Sequence, residues 1–245
     1  NHLGNPDPDD TIYIGPGYYF AQSINVGPMT IVGSGVNVTK IYNNNSTCFY
    51  NFKGTIKDLA FSKYTEFYNG QYVDRFCGTA IRTDNTDDQE YVANLHNLLF
   101  EYVGNNNIDI ERNYVEIRNN VFGPNSGSYI NFQNQEFIVF MNNLVIRDIN
   151  FQNMAGYTNN DYFNNLFLNS CSINTSNRST YNIVFNGTTS INGETYGAGD
   201  STCGQLGEYQ PTMFFTNIYD LNFVVETWNL YHIYASGENT ILFDT

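Results

Sequence analysis

Apolar residues alternate with polar ones for about four or five positions at a time, a period of two that marks half-buried strands. The alternation then breaks at a Gly or an Asx residue and resumes. Thr11-Ile12-Tyr13-Ile14, Ser23-Ile24-Asn25-Val26, Met29-Thr30-Ile31-Val32 and Thr39-Lys40-Ile41-Tyr42 each read as a short strand. Gly15-Pro16-Gly17 and Gly33-Ser34-Gly35 supply the turns between them. Short strands continue the pattern at Leu166-Phe167-Leu168 and Asn182-Ile183-Val184-Phe185.

One hexad recurs through the chain: apolar, variable, Asp or Asn, usually apolar, variable, Phe. Its copies are Ile56-Lys57-Asp58-Leu59-Ala60-Phe61, Leu95-His96-Asn97-Leu98-Leu99-Phe100, Ile146-Arg147-Asp148-Ile149-Asn150-Phe151 and Ile218-Tyr219-Asp220-Leu221-Asn222-Phe223. Ile117-Arg118-Asn119-Asn120-Val121-Phe122 is a looser copy. The first apolar residue points inward and its neighbour outward, as in a strand. The Asx then breaks the alternation, because its short polar side chain bonds nearby backbone and tolerates unusual φ/ψ. Strand, corner, strand is one bend of a coil, and each coil buries its apolar side only against its neighbours. The expected fold is therefore all-β, a right-handed parallel β-helix (solenoid) with loop insertions. Asp58, Asn97, Asn119, Asp148 and Asp220 are expected to form one structural ladder. Residues 1–10 read as a lead-in or capping segment and 11–211 as the β-helix. Residues 212–245 read as a last coil with an aromatic-rich cap or oligomer contact. Residues 62–92 and 101–113 read as insertions between hexads.

Ile14-Gly15-Pro16-Gly17-Tyr18-Tyr19, Ile31-Val32-Gly33-Ser34-Gly35 and Thr39-Lys40-Ile41 resemble the opening coils of pectinesterases and their pectin-lyase-like relatives. Residues 144–156, with the run Ile146 to Gly156, are similar to a further pectinesterase segment. The resemblance covers roughly 12–42 and 137–173, and its motifs specify coil geometry more than chemistry. It implies a pectin-lyase-like right-handed parallel β-helix. The family's catalysis uses two aspartates, glutamines and an arginine near a tryptophan, and none of these carries over. Gly156 leads into Tyr157-Thr158-Asn159, and Trp228 follows Glu226-Thr227, where the family motifs would differ.

Composition narrows the function classes. Ten Lys and Arg stand against 24 Asp and Glu, a net charge of −14. Nucleic-acid binding rests on cationic side chains that replace counterions, so it is not expected. No apolar run approaches the roughly 18 residues of a membrane helix. The chain begins at Asn1 and reads as processed or as a fragment. Cys48, Cys77, Cys171 and Cys203 form no C-x-x-C pair; three pairings are open, local ones among them, beside buried free thiols. Six Asn-x-Ser/Thr sequons, including those at Asn37 and Asn44, lean towards an extracellular, cell-surface or virion-surface location.

Three sets of residues are candidates for chemistry. The outward hexad position carries Lys57, His96, Arg118, Arg147 and Tyr219, a mostly cationic stripe suited to carboxylated sugars or an acidic partner surface, or paired with nearby acids. Asp109, Glu111 and Glu116 are the carboxylates a polysaccharide-degrading enzyme would use, with Asp109 and Glu111 on one face and Glu116 on another. Asp84, Asp87 and Asp88, with Glu90, form an acidic loop with oxygen ligands for calcium but no EF-hand spacing. No other cofactor is expected. The Tyr and Phe excess could line sugar-binding grooves. The expected function is a non-enzymatic surface, fibre, spike or filament protein. Its partners would be glycans or neighbouring copies in a homo-oligomer or larger assembly. The alternative is a lyase, hydrolase or depolymerase.

Overall fold

The computed structural model describes residues 10–83, 92–111, 114–133, 137–147 and 149–152. Beyond these it describes the short stretches 161–163, 165–167, 171–173, 178–180, 183–184, 189–191 and 194–196. Its core is a parallel β-solenoid, all-β, in which the chain climbs through stacked coils of three short strands each.

The first face stacks Thr11–Ile14, Thr30–Gly33, the start of Thr55–Phe61, the start of Val92–Glu111, Tyr114–Arg118 and Phe137–Met141, every neighbour parallel. Its inward column is Ile12, Ile31, Ile56, Leu95, Ile117 and Phe140. The second face stacks Gly17–Phe20, Thr39–Tyr42, the end of Thr55–Phe61, the middle of Val92–Glu111, Val121–Asn125 and Leu144–Val145. Here Ile41, Phe61, Phe100, Phe122 and Val145 point inward. The third face runs from Ile24–Asn25 through Thr47–Tyr50, Cys77–Arg82, the end of Val92–Glu111 and Tyr129–Gln133 to Ile149–Gln152. Shorter strands continue all three faces as far as Thr189–Ile191, which pairs antiparallel with Glu194–Tyr196.

Because side chains alternate across a strand, this register turns the sequence periodicity into continuous interior columns. Phe61 and Phe100 stack at 5.3 Å between centroids, and Phe100 and Phe122 at 4.7 Å. All three rings are fully buried, and each contributes roughly 1.5–3 kcal/mol relative to exposure.

The corner between the first two faces explains the hexad. Asp58, Asn97 and Asn119 take φ values of 60°, 51° and 57°, the left-handed region that Asn and Asp tolerate best among non-glycine residues. They lie one above another, since Lys57 pairs with His96 and His96 with Arg118 on the preceding strands. The next place in this column belongs to Asn142, at φ 55°, rather than to Asp148. The hexad 146–151 feeds the third face, where Asn150 pairs with Tyr129. Its letters match, but they describe a different bend. Asp148 and Asp220 lie outside the described residues.

A second, fully bonded ladder runs one residue further on. Asn120, Asn143 and Asn165 are buried in successive coils. The amide Nδ2 of Asn120 donates to the Leu95 carbonyl at 2.9 Å, that of Asn143 to Ile117 at 3.0 Å and that of Asn165 to Phe140 at 2.8 Å. Each side-chain oxygen accepts from the preceding coil: Leu98 N–H on Asn120, Asn120 N–H on Asn143 and Asn143 N–H on Asn165. The inner asparagines, not only the outer Asx column, tie coil to coil. Between the outer residues, Asn97 Nδ2 donates to Asp58 Oδ1 at 3.1 Å.

Residues 101–111 are not an insertion. Val92–Glu111 is continuous strand whose later part forms the third face. The expected insertion at 62–92 contains a real excursion, the antiparallel hairpin Tyr64–Tyr68 and Gln71–Arg75. Asn69 and Gly70 at its tip both have positive φ (50° and 79°), the turn whose twist matches a tight hairpin. The Gly33-Ser34-Gly35 turn is also explained: a Cβ on Gly33 would lie 2.1 Å from the Asp58 carbonyl oxygen of the next coil.

Cys48 and Cys77 form a disulfide across adjacent coils of the third face, both sulfurs fully buried. Cys203 and the segment 212–245 lie outside the described residues, as does most of the lead-in.

Candidate functional site

Of the expected cationic stripe, Lys57, His96 and Arg118 occupy one outward column of the first face. Met141 takes the next place. Arg147 is elsewhere, donating from Nη1 to the Ser126 carbonyl at 2.6 Å, and Tyr219 lies outside the described residues. The stripe is therefore shorter than the letters suggested. Glu116, two residues before Arg118 and so on the same side of the strand, forms an ion pair with it. His96 Nε2 lies 4.0 Å from the other oxygen of Glu116. Burial, then the charges of Arg118 and Lys57, push the His96 pKa down to about 4. Glu116 alone would favour the imidazolium, but its carboxylate is committed to Arg118, so the ring is neutral at pH 7. Arg118 is compensated by Glu116 and His96 is neutral, so the column is not an open cationic groove.

The candidate carboxylates do not converge. Asp109 and Glu111 share the outward side of the third face, with Ile110 buried between them. Asp109 accepts from Asn131 Nδ2 at 2.6 Å and lies 3.7 Å from Arg82 Nε. Glu116 stands on the first face. A two-carboxylate mechanism needs both groups flanking one bond, and the trio spans two faces. Asp84, Asp87 and Asp88 lie outside the described residues; among the described ones no three metal-ligating side chains cluster.

A cleft that the sequence reading did not locate lies on the outside of the second face. The hairpin leaves the coil after Phe61 and lies back over the first coils. Alternation sets Tyr64, Glu66, Tyr68 and, across the ladder, Arg75 on one side, and Thr65, Phe67, Tyr72 and Asp74 on the other. The first side meets the coil. Tyr64 stacks on Tyr42 at 4.8 Å and lies 5.5 Å from Tyr18, while Phe20 meets Tyr42 edge-on at 5.6 Å. Between them is an open cavity of about 310 Å³ lined by Phe20, Tyr42, Asn44, Glu66 and Arg75.

The polar groups of the cleft are held in place. The Arg75 guanidinium donates through Nε and Nη2 to Glu66 Oε1, at 2.7 and 2.5 Å. Its Nη1 donates to Asn44 Oδ1, and the guanidinium carbon lies 5.8 Å from the Tyr68 ring centre. Burial raises the Tyr42 pKa, with Tyr64 and Glu66 adding to the rise and Arg75 opposing it, so its hydroxyl stays protonated as a donor. On the hairpin's other side, Asp74 accepts from Thr65 and Lys63; these bonds, Thr65 first, lower its pKa. Flanking backbone bonds fix the base: Asn45 N–H to Phe76 O at 2.8 Å and Gly78 N–H to Ser46 O at 2.8 Å. The available signal was local: Asn69-Gly70 between aromatic-rich runs announces a hairpin.

Fold and cleft together define a parallel β-solenoid carrying an aromatic-walled external cleft. Compared with known protein families, with curated proteins and with solved structures, the chain matches none.

Proposed function

We propose that the protein is a non-enzymatic surface scaffold of pectin-lyase-like architecture, a fibre, spike or filament component that presents a rigid face for glycan contacts outside the cell or on a virion. The external cleft, with aromatic walls and fixed hydrogen-bonding groups on a stiff stack of coils, carries this reading. The buried disulfide supports an oxidising compartment. The separation of Glu116 from Asp109 and Glu111 supports binding over bond cleavage.

The test is incubation with pectins, alginates and capsular polysaccharides, followed by assay for reducing ends and unsaturated products, alongside a glycan array. Retention of glycans without turnover is the expected result. Catalytic release of products would overturn the non-enzymatic reading, and a blank array would overturn the glycan-contacting one.

A further inference from the structure

We infer that the cleft between the hairpin and the second face is a saccharide site that takes one neutral pyranose unit of a glycan. This rests on the glycan-contacting reading above and specifies where and how the contact is made.

Size comes first. At about 310 Å³ the cavity lies at the lower end of ligand-sized pockets, which run about 300–1,000 Å³. It suits one sugar ring with its neighbours left in solvent, and its openness suits a residue reached along a chain. The walls present aromatic surface from Phe20, 49% exposed, and from Tyr42, whose ring Tyr64 braces by stacking at 4.8 Å. A pyranose has a face of C–H groups that packs on such rings and a rim of hydroxyls that must be hydrogen-bonded once water is removed.

The rim groups decide the charge. Arg75 supplies donors, Glu66 supplies an acceptor oxygen not used by Arg75, and Asn44 supplies an amide. Hydroxyls both donate and accept, so this mixed set satisfies them. A carboxylated sugar would compete with Glu66 for Arg75 and would approach a protein of net charge −14. An apolar ligand would strip water from Arg75 and Glu66 and give nothing back. Because Arg75 is held by Glu66 and Asn44 before any ligand arrives, little ordering remains to be done on binding.

The experiment titrates the protein, produced in bacteria so that the Asn44 sequon carries no sugar, with methyl glycosides of glucose, galactose, mannose and N-acetylglucosamine and with the methyl glycoside of galacturonic acid, its carboxylate free. Saturation-transfer and amide-shift NMR supply the readout. For at least one neutral glycoside a Kd of about 1 mM is expected, the range for a dozen ligand atoms in an open site. Amide shifts should concentrate at residues 42–44 and 64–75. Phe20→Ala and Arg75→Ala should each weaken binding about tenfold. Tyr72→Ala, on the hairpin's other side, should leave binding unchanged, and a thermal transition should confirm that each variant is folded. The amide-shift map needs no variant, so it decides the matter if a substitution prevents folding. Shifts confined to other faces, or undiminished affinity in both cleft variants, would overturn this inference and leave the glycan-contacting function standing. Preference for the uronate, or no response to any neutral glycoside beside a positive array, would overturn it likewise. A blank array as well would remove both.

Discussion

Replacing Asn143 with alanine isolates the inner ladder from the outer corner. Asn143 is fully buried and makes four side-chain contacts. Its Nδ2 donates to the Ile117 carbonyl at 3.0 Å and to Asn165 Oδ1 at 3.0 Å, while its Oδ1 accepts from Asn120 N–H at 3.0 Å and Asn120 Nδ2 at 3.1 Å. Not all four count equally. Asn120 Nδ2 keeps the Leu95 carbonyl, and Asn165 Oδ1 keeps the backbone N–H of residue 143. The group left without a partner is the Asn120 N–H, while the Ile117 carbonyl, which sits in the parallel ladder with Phe137–Met141, loses one accepted bond. A buried unsatisfied group costs about 1–3 kcal/mol, which sets the expected loss. Asn143→Leu should recover some packing but none of the bonds. Asn143→Asp should be worst at neutral pH, because it removes Nδ2 and buries a charge.

Stacked coils open locally, so the assay must report on position as well as on total stability. Denaturant titration followed by circular dichroism gives the overall loss. Native-state hydrogen exchange should show the largest loss of protection at the amides of Asn120 and Leu144, next to the removed side chain. A loss below about 1 kcal/mol for Asn143→Ala, or protection changes spread evenly over the three faces, would refute the claim that this ladder holds the coils in register.

Three further outcomes follow from the same geometry. Replacing both Cys48 and Cys77 with alanine releases a cross-link between residues 29 apart, and loop entropy puts the loss at about 3–4 kcal/mol, measurable as a lowered denaturation midpoint. Phe100→Ala removes the middle ring of the Phe61–Phe100–Phe122 stack and should cost about 3–5 kcal/mol by the same titration. His96 has its pKa lowered from 6.5 to about 4 in the folded protein. Between those values the unfolded chain binds the extra proton, so His96 lowers stability as pH falls from about 6.5 and the loss levels off below about 4. With the ring 28% exposed, solvent screening leaves about 1–2 kcal/mol. His96→Gln should flatten that part of the stability–pH curve, and an unchanged slope would refute the buried-neutral assignment.

The coil was legible because two local rules coincide in the hexad: period-two burial and an Asx that accepts positive φ. Register was harder. The letters of Ile146–Phe151 match those of Ile56–Phe61, yet the first serves the bend into the third face and the second the bend between the first and second. Any bend joining two half-buried strands produces that pattern. The doublets Asn119-Asn120 and Asn142-Asn143 mark the first corner in the later coils, where one asparagine takes the left-handed φ and the next turns its amide inward. In the earlier coils Asp58-Leu59 and Asn97-Leu98 turn the same corner with a single Asx, so the letters of 56–61 and 146–151 do not separate the two bends. The carboxylate trio failed as a site for a related reason. Nearness in sequence places Asp109, Glu111 and Glu116 within one coil step, but a coil step crosses a corner, and crossing a corner changes faces.

The same reasoning explains why the cleft had to lie outside the repeat. A face of parallel strands in register is nearly flat, and its outward residues recur at the inter-strand spacing, so stacking alone creates rows and ridges but no pocket. Concavity requires chain that leaves the coil and returns over it. The hairpin of 64–75 does this between Phe61 and Cys77, and its return is anchored where it rejoins the coil. Phe76 O accepts from Asn45 N–H, Gly78 N–H bonds to Ser46 O, and Cys77 is cross-linked to Cys48. Asn44 and Arg75, a bonded pair in the cleft lining, lie immediately beside those fixed points. The disulfide is thus doubly placed: it closes the interior of the third face, and it holds the hairpin base against Thr47–Tyr50, the strand that follows the cleft-lining residues Tyr42 and Asn44.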